Sequence, residues 1–303
     1  MYATYSSSTR RPRDPDRLEL ERLEDRLLMT GSCSTYFDPS GTLKIYGDRG
    51  NNAIVIHDSG QGEVEVTCDG KTKSFHEVHE IQAFTGGGDD KLKYSLDGDL
   101  YGYDRRLYFD LGSGKDEAEI SAEDVRLTNN LSVSVYGGSG KDKRNVELHD
   151  VVLDHWAYVD VDVDGGSGDD KIKGEFTAPS EGWGYYVDFW LNGGSGNDKV
   201  SFESEIEGFG WPDTLRAYLY GGYGNDELKL EVDIKDPWYS GYSVNVDLYV
   251  DGGYGWDTAE GCVEEGGYDH SPYVPVYNVE ELKFCEDHDH DDHSGDQHVD
   301  QTF

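Results

Sequence analysis

The sequence predicts an all-β fold: a parallel β-solenoid, β-helix or β-roll-like, with one Gly/Asp-rich turn per coil of 26–31 residues. Three observations carry that prediction. A Gly/Asp octapeptide recurs at a nearly constant interval, and segments of alternating apolar and polar residues flank its copies. The composition, with 39 Gly and 22 Tyr, contains no long apolar stretch of helical period.

Residues 1–33 read as a leader of different character. They begin basic (Arg10, Arg11, Arg13) and continue as DRLELERLEDRLLM, a short amphipathic pattern with Leu18, Leu20, Leu23, Leu27 and Leu28 at partly helical spacing. Residues 34–84 hold short alternating runs, LKIYG, AIVIHD, EVEVTCDG and KSFHEV, with a hairpin turn expected at Asp69-Gly70. This stretch is expected to form an N-terminal cap containing a degenerate first repeat.

Residues 85–265 are the periodic part. The copies are TGGGDDKL (85–92), LGSGKDEA (111–118), GGSGKDKR (137–144), GGSGDDKI (165–172), GGSGNDKV (193–200), GGYGNDEL (221–228) and GGYGWDTA (252–259). Their sixth positions are Asp90, Asp116, Asp142, Asp170, Asp198, Asp226 and Asp257; the outlying copy GDRGNNAI (47–54) has Asn52 there. Before each turn a strand of period two directs apolar residues inward, as in Val159, Val161 and Val163 of VDVDVD. Leu131, Val133, Val135; Val187, Phe189, Leu191; Leu215, Ala217, Leu219; and Val246, Leu248, Val250 are its equivalents. After each Asp a second strand starts, with Leu92, Tyr94, Leu96; Val200, Phe202; and Leu228, Leu230, Val232 inward.

One such unit cannot bury its inner face alone. Coils stacked ~4.8 Å apart would pair each strand with its copy in the next coil. Antiparallel hairpins of a sandwich or propeller are the competing architecture, and the constant coil length with recurring residue types favours the solenoid. Residues 266–285 are expected to form a C-terminal cap, and 286–303, EDHDHDDHSGDQHVDQTF in essence, a disordered His/Asp-rich tail.

The formal charge of −37, from 63 acidic against 26 basic side chains, excludes nucleic acid and anionic membrane surfaces as partners, and points to cations. No apolar run is long enough to insert in a membrane as a helix, and MYATYSSSTRRPR lacks the apolar core of an ordinary secretory signal. Cys33, Cys68, Cys262 and Cys285 flank the repeats. Two disulfides fastening the ends, or free buried thiols, are both compatible with that spacing.

In the octapeptide, glycines permit close backbone approach, so that carbonyl oxygens can face one small volume beside the Asp carboxylate. Calcium takes six to eight oxygens, more than one loop offers, so two stacked loops would share an ion. The alternative is a turn that only bends, but stacked carboxylates without a cation repel. The pattern GGxGxDxU, U being a large apolar residue, resembles the RTX or hemolysin-type calcium-binding repeats over residues 85–259.

That resemblance implies Asp90, Asp116, Asp142, Asp170, Asp198, Asp226 and Asp257 as side-chain ligands of several calcium ions, up to about six in the gaps between loops. Carbonyls at the glycine and third positions would complete the sites, the glycines being Gly138, Gly140, Gly166, Gly168, Gly194, Gly196, Gly222, Gly224, Gly253 and Gly255. The chain departs from the family in having one copy per large coil instead of tandem nonapeptides, and in Thr85, Leu111, Arg144 and Asn52 at motif positions. LERLEDRLL also resembles the LEPR-XLL motif of exported and surface proteins of planctomycete-type bacteria, with Glu24-Asp25-Arg26 standing where Glu-Pro-Arg would be.

Other features are weaker. Trp190, Tyr218 and Tyr249 fall at equivalent outward positions, as either a carbohydrate-stacking strip or ordinary strand packing. His288, His290, His293 and His298 would bind a transition metal weakly, or simply belong to a solvated tail. GSGKD lacks both the earlier glycine and the following Ser or Thr of a phosphate loop, and no catalytic constellation stands out among so many carboxylates. The expectation is an exported, extracellular or cell-surface, calcium-loaded solenoid of structural or adhesive role, not an enzyme. The alternative is an extracellular polysaccharide-binding or polysaccharide-active β-helix.

Overall fold

The computed structural model describes residues 33–154, 157–179, 186–207, 214–235, 245–265, 274–284 and 301–302. Among these there is no helix, and so none long and apolar enough to cross a membrane. The chain winds as a parallel β-solenoid. Each coil contributes one strand before the Gly/Asp turn and one after it, and the copies stack into two sheets.

The sheet before the turn runs through Thr42–Tyr46, Glu80–Phe84, Arg105–Asp110, Leu131–Tyr136, Tyr158–Asp164, Tyr186–Ser195, Thr214–Tyr223, Asn245–Tyr254 and Val276–Tyr277, all parallel. The sheet after it runs through Ala53–Asp58, Lys91–Leu96, Glu117–Glu123, Lys143–His149, Lys171–Ala178, Lys199–Glu207, Glu227–Lys235, Thr258–Glu265 and Glu281–Phe284. Register follows the octapeptide. Val161 pairs with Val133 and Phe189, and Val200 with Ile172 and Leu228, so like stacks on like. On the return path a third, short strand pairs Arg126–Leu127 with Val152–Leu153.

Period two explains the core. Val159, Val161, Val163, Val187, Phe189 and Leu191 are fully or almost fully buried, while the residues between them are half-buried or exposed. Gly174, inward on its strand and paired with Phe202, leaves room that Phe189 and Leu191 fill, and the Phe189 and Phe202 ring centroids are 4.9 Å apart. Val246 is the exception among the expected inward positions, being only partly buried against the core.

The first coil is closed by antiparallel pairing, which a parallel stack cannot supply for itself. Val64–Cys68 pairs antiparallel with Ala53–Asp58 and with Lys71–Phe75 across the Asp69-Gly70 turn, and Ser34–Phe37 pairs antiparallel with Thr42–Tyr46. A disulfide joins Cys33 to Cys68, with Cα atoms 5.9 Å apart. Cys262 is also disulfide-bonded, and Cys285 lies outside the described residues. Beneath this end Arg105 occupies an inward position in place of an aliphatic residue. Its buried guanidinium pairs with Asp58 (Nε to Oδ2, 2.6 Å), and Asp58 also accepts the Tyr94 hydroxyl at 2.8 Å.

Because Phe189 is fully buried between two coils, Phe189→Ala should cost about 3–5 kcal/mol. A denaturant titration followed by circular dichroism is expected to show the midpoint falling accordingly.

Candidate metal site

The turn is shaped by its second and fourth residues. In the 193–200 copy, Gly194 has φ +99° and Gly196 φ +139°, conformations that side chains rarely adopt. The bend is also laced to its neighbours. Ser195 N–H donates to the Gly166 carbonyl at 2.9 Å, and the Ser195 carbonyl accepts Gly168 N–H at 2.7 Å. The carbonyls expected to serve as ligands at Gly138 and Gly166 thus already accept one hydrogen bond each, from Ser167 and Ser195, and the third-position carbonyls do likewise.

The sixth-position aspartates form a continuous buried ladder. The Asp90 N–H donates to Asp116 Oδ1, Asp116 to Asp142, Asp142 to Asp170, Asp170 to Asp198, Asp198 to Asp226 and Asp226 to Asp257, at 2.7–2.8 Å. At one end Asp90 Oδ1 accepts the Asn52 N–H, and at the other Asp257 N–H donates to Glu280 Oε2 at 2.6 Å. The ladder aspartates are at most 3% exposed. A second, exposed ladder runs in the opposite sense along the fifth position, where Trp256 N–H bonds Asn225 and Asn225 N–H bonds Asn197.

Each ladder carboxylate spends one oxygen on its neighbour. The other, Oδ2, has no hydrogen-bond partner in Asp90, Asp116, Asp170, Asp198, Asp226 and Asp257. In Asp170, Asp198, Asp226 and Asp257 it lies beside the first glycine of its own turn, close to the first-position carbonyl of the next coil. A methyl carbon placed on Gly193 would lie 2.6 Å from the Gly221 oxygen and 2.8 Å from Asp198 Oδ2. Gly165, Gly221 and Gly252 have equivalent surroundings, with Asn278 supplying the last carbonyl. A niche whose nearest polar atoms are these two oxygens thus sits between coils.

Burial without a partner disfavours the charged form. It pushes the carboxyls of Asp116 and Asp198 up to about 7 and that of Asp257 up to about 6, against the lowering effect of the ladder N–H and reinforced by neighbouring acids. Asp90, Asp142, Asp170 and Asp226 are raised by burial too, Asp142 and Asp170 being drawn back by the Arg144 charge.

Sequence reasoning brought the seven aspartates to one edge, where the structure places them. It did not single out the first-position carbonyls, nor Glu280, whose signal is faint: Glu280-Glu281-Leu282 repeats the Asp-x-U end of the motif without its glycines. The outward aromatics also align. Trp190, Tyr218, Tyr249 and Tyr277 make successive ring contacts with centroids 5.3, 6.2 and 5.3 Å apart, and Tyr220 fills in between Trp190 and Tyr249. Arg216 lies between Asp188 and Asp247 at 3.8 and 3.9 Å. His288, His290, His293 and His298 lie outside the described residues.

No family model matches this chain, and no curated protein or solved structure matches it either.

The raised carboxyls set a pH dependence in metal-free buffer. The folded chain holds protons up to about pH 7 on Asp116 and Asp198, whereas the unfolded chain releases them near pH 4. Their contribution to stability is therefore full below about pH 4 and is lost as pH rises through about 7. Thermal melts after removal of divalent cations should show the melting temperature falling over that window. Asp198→Asn keeps an acceptor for the Asp170 N–H and removes the charge, so it should flatten the fall and raise the melting temperature at pH 8 by a few degrees.

Proposed function

We propose that this chain is an exported calcium-binding β-solenoid with a structural, cell-surface or adhesive role. The observation that carries the reading is the row of buried, unpartnered Oδ2 atoms of Asp170, Asp198, Asp226 and Asp257, each facing a first-position carbonyl of the next coil. The donor type suits a hard cation such as calcium: one carboxylate and one carbonyl oxygen at each niche, with neither nitrogen nor sulfur, two of the six to eight oxygens calcium takes. The four aspartates, with carbonyls of Gly193, Gly221, Gly252 and Asn278, would hold it.

A bound cation would neutralise the carboxylates and tie consecutive coils together, offsetting the self-repulsion of a chain with net charge −37. Affinities of ~10⁻⁴ to 10⁻³ M, those of extracellular modules, suit a site that is filled outside cells and empty inside. The N-terminal resemblance to an export-associated motif agrees with that setting.

Circular dichroism and equilibrium dialysis with and without millimolar calcium test the reading. Binding of several ions with a gain in β signal or melting temperature is expected, and Asp198→Asn should lower the calcium-loaded melting temperature while raising the calcium-free one. Identical spectra, identical melts and no retained calcium would refute it.

A second reading rests on the aromatic row. Trp190 is 46% exposed at one end of a run of stacked rings, a surface that a polysaccharide could use. In a polysaccharide pull-down, retention that falls at least several-fold in Trp190→Ala would support it, and no retention at high concentration would end it.

A further inference from the structure

At the eighth position of the octapeptide, where the preceding coil carries Ala118 and the following coils Ile172, Val200 and Leu228, this chain has Arg144. Its backbone keeps register, paired with Ala118 on one side and Ile172 on the other, so the side chain is directed inward and is fully buried. There Nη2 donates to Asp142 Oδ2 at 2.8 Å and to the Gly165 carbonyl at 2.8 Å, and stands 3.8 Å from Asp170 Oδ1.

Those two acceptors correspond, coil by coil, to Asp170 Oδ2 with Gly193 O, to Asp198 Oδ2 with Gly221 O and to Asp226 Oδ2 with Gly252 O. The guanidinium therefore satisfies the pair of oxygens that lines each open niche. Asp142 is, in consequence, the ladder aspartate whose Oδ2 is not orphaned. A side chain on Gly137 would coincide with the guanidinium, so this niche is full. The arginine bears a cost for the position, since its Nε and Nη1 find no hydrogen-bond partner.

The two preceding coils also fill the niche with protein. Thr85 replaces the first glycine and its hydroxyl donates to the Leu111 carbonyl at 2.6 Å, while Leu111 places a fully buried side chain at the same position of the next coil. From Gly165 onward the first position is glycine in each of the 165, 193, 221 and 252 copies.

We propose that Arg144 is a resident cation that replaces the metal ion in the gap between the Asp142 and Asp170 coils, so that metal loading begins only at the coil of Gly165. The proposal rests on the calcium reading above. It divides the stack into an N-terminal part whose niches are occupied by side chains, with the Oδ2 atoms of Asp90 and Asp116 still unpartnered, and a C-terminal part whose niches are open to an ion.

The test is Arg144→Leu, which restores the residue type of the following coils, compared with the unaltered full chain by equilibrium dialysis against calcium and by hydrogen exchange. The unaltered chain should show calcium-dependent protection only from about residue 165 onward. Arg144→Leu should bind one calcium more per chain, extend the protection to residues 137–149, and melt lower than the parent without calcium but recover with it. Asp142→Asn/Arg144→Leu, which removes the orphaned charge, should fold without calcium and gain no ion. Unchanged stoichiometry in an Arg144→Leu chain whose parent binds calcium would overturn the role of Arg144 alone. So would an Arg144→Leu chain that folds in neither buffer while the double variant folds in both. A parent that binds no calcium would overturn the calcium reading and this inference together.

Discussion

The hydrogen bond from each ladder aspartate's N–H to the carboxylate of the next coil sets the rest of the turn. It fixes the carboxylate's orientation, because one oxygen must reach back along the stack to a backbone donor. The other oxygen then has one direction left, towards the first-position carbonyl of the following coil. Two acceptors thereby face each other in a buried space. An unsatisfied buried acceptor costs about 1–3 kcal/mol and more when charged, and whole domains are stable by only about 5–15 kcal/mol. A run of such pairs from Asp170 to Asp257 is comparable with the entire stability of the fold, so a proton, a cation or a side chain must enter each of them.

In-register stacking imposes the same like-on-like rule on the outer faces, with milder consequences. Carboxylates there alternate with cations where the stack allows it: Lys93 with Glu119 at 2.8 Å, Lys91 and Lys143 on either side of Glu117 at 3.0 and 3.4 Å, and Arg216 between Asp188 and Asp247. Exposed pairs of this kind contribute at most about 1 kcal/mol each and are screened by salt. Rings fare better, since Tyr218 over Tyr249 both packs and covers the sheet. Solvent relieves crowding outside; inside the turn that falls to a proton, a cation or a side chain.

This contrast explains what could be read from residues alone. Constant spacing of the aspartates, and valines alternating with aspartates in VDVDVD, are one-dimensional signals of a stacked coil, and register followed from them directly. The open niche is a relation between coils. It involves a backbone carbonyl that every residue type possesses, so no letter of the sequence marks Gly221 O as facing Asp198. Arg144 was legible as a departure from the motif, but a charged residue at an inward position says nothing of which acceptors it reaches. Glu280 was hidden by the loss of the glycines that identify the other turns. The buried Arg105–Asp58 pair joins residues 47 apart, from two elements whose juxtaposition only the winding of the chain creates.

The distribution of these exceptions along the chain is itself informative. Thr85, Leu111 and Arg144 follow one another in consecutive coils, and the disulfide, the antiparallel strands and the Arg105–Asp58 pair lie at the same end. At that end side chains occupy the niches, although the Oδ2 atoms of Asp90 and Asp116 and the Nε and Nη1 of Arg144 stay without a hydrogen-bond partner. A coil added to an existing stack gains a full row of backbone hydrogen bonds while ordering only its own residues, so growth from a formed end is favoured over nucleation elsewhere. The N-terminal coils, tied by the disulfide and the antiparallel strands, are the end from which such growth would start. Each coil beyond Gly165 then adds apolar burial and one orphaned carboxylate oxygen together. The same repeat that builds the solenoid thus leaves each of these coils with a buried oxygen that a proton or a cation would have to meet.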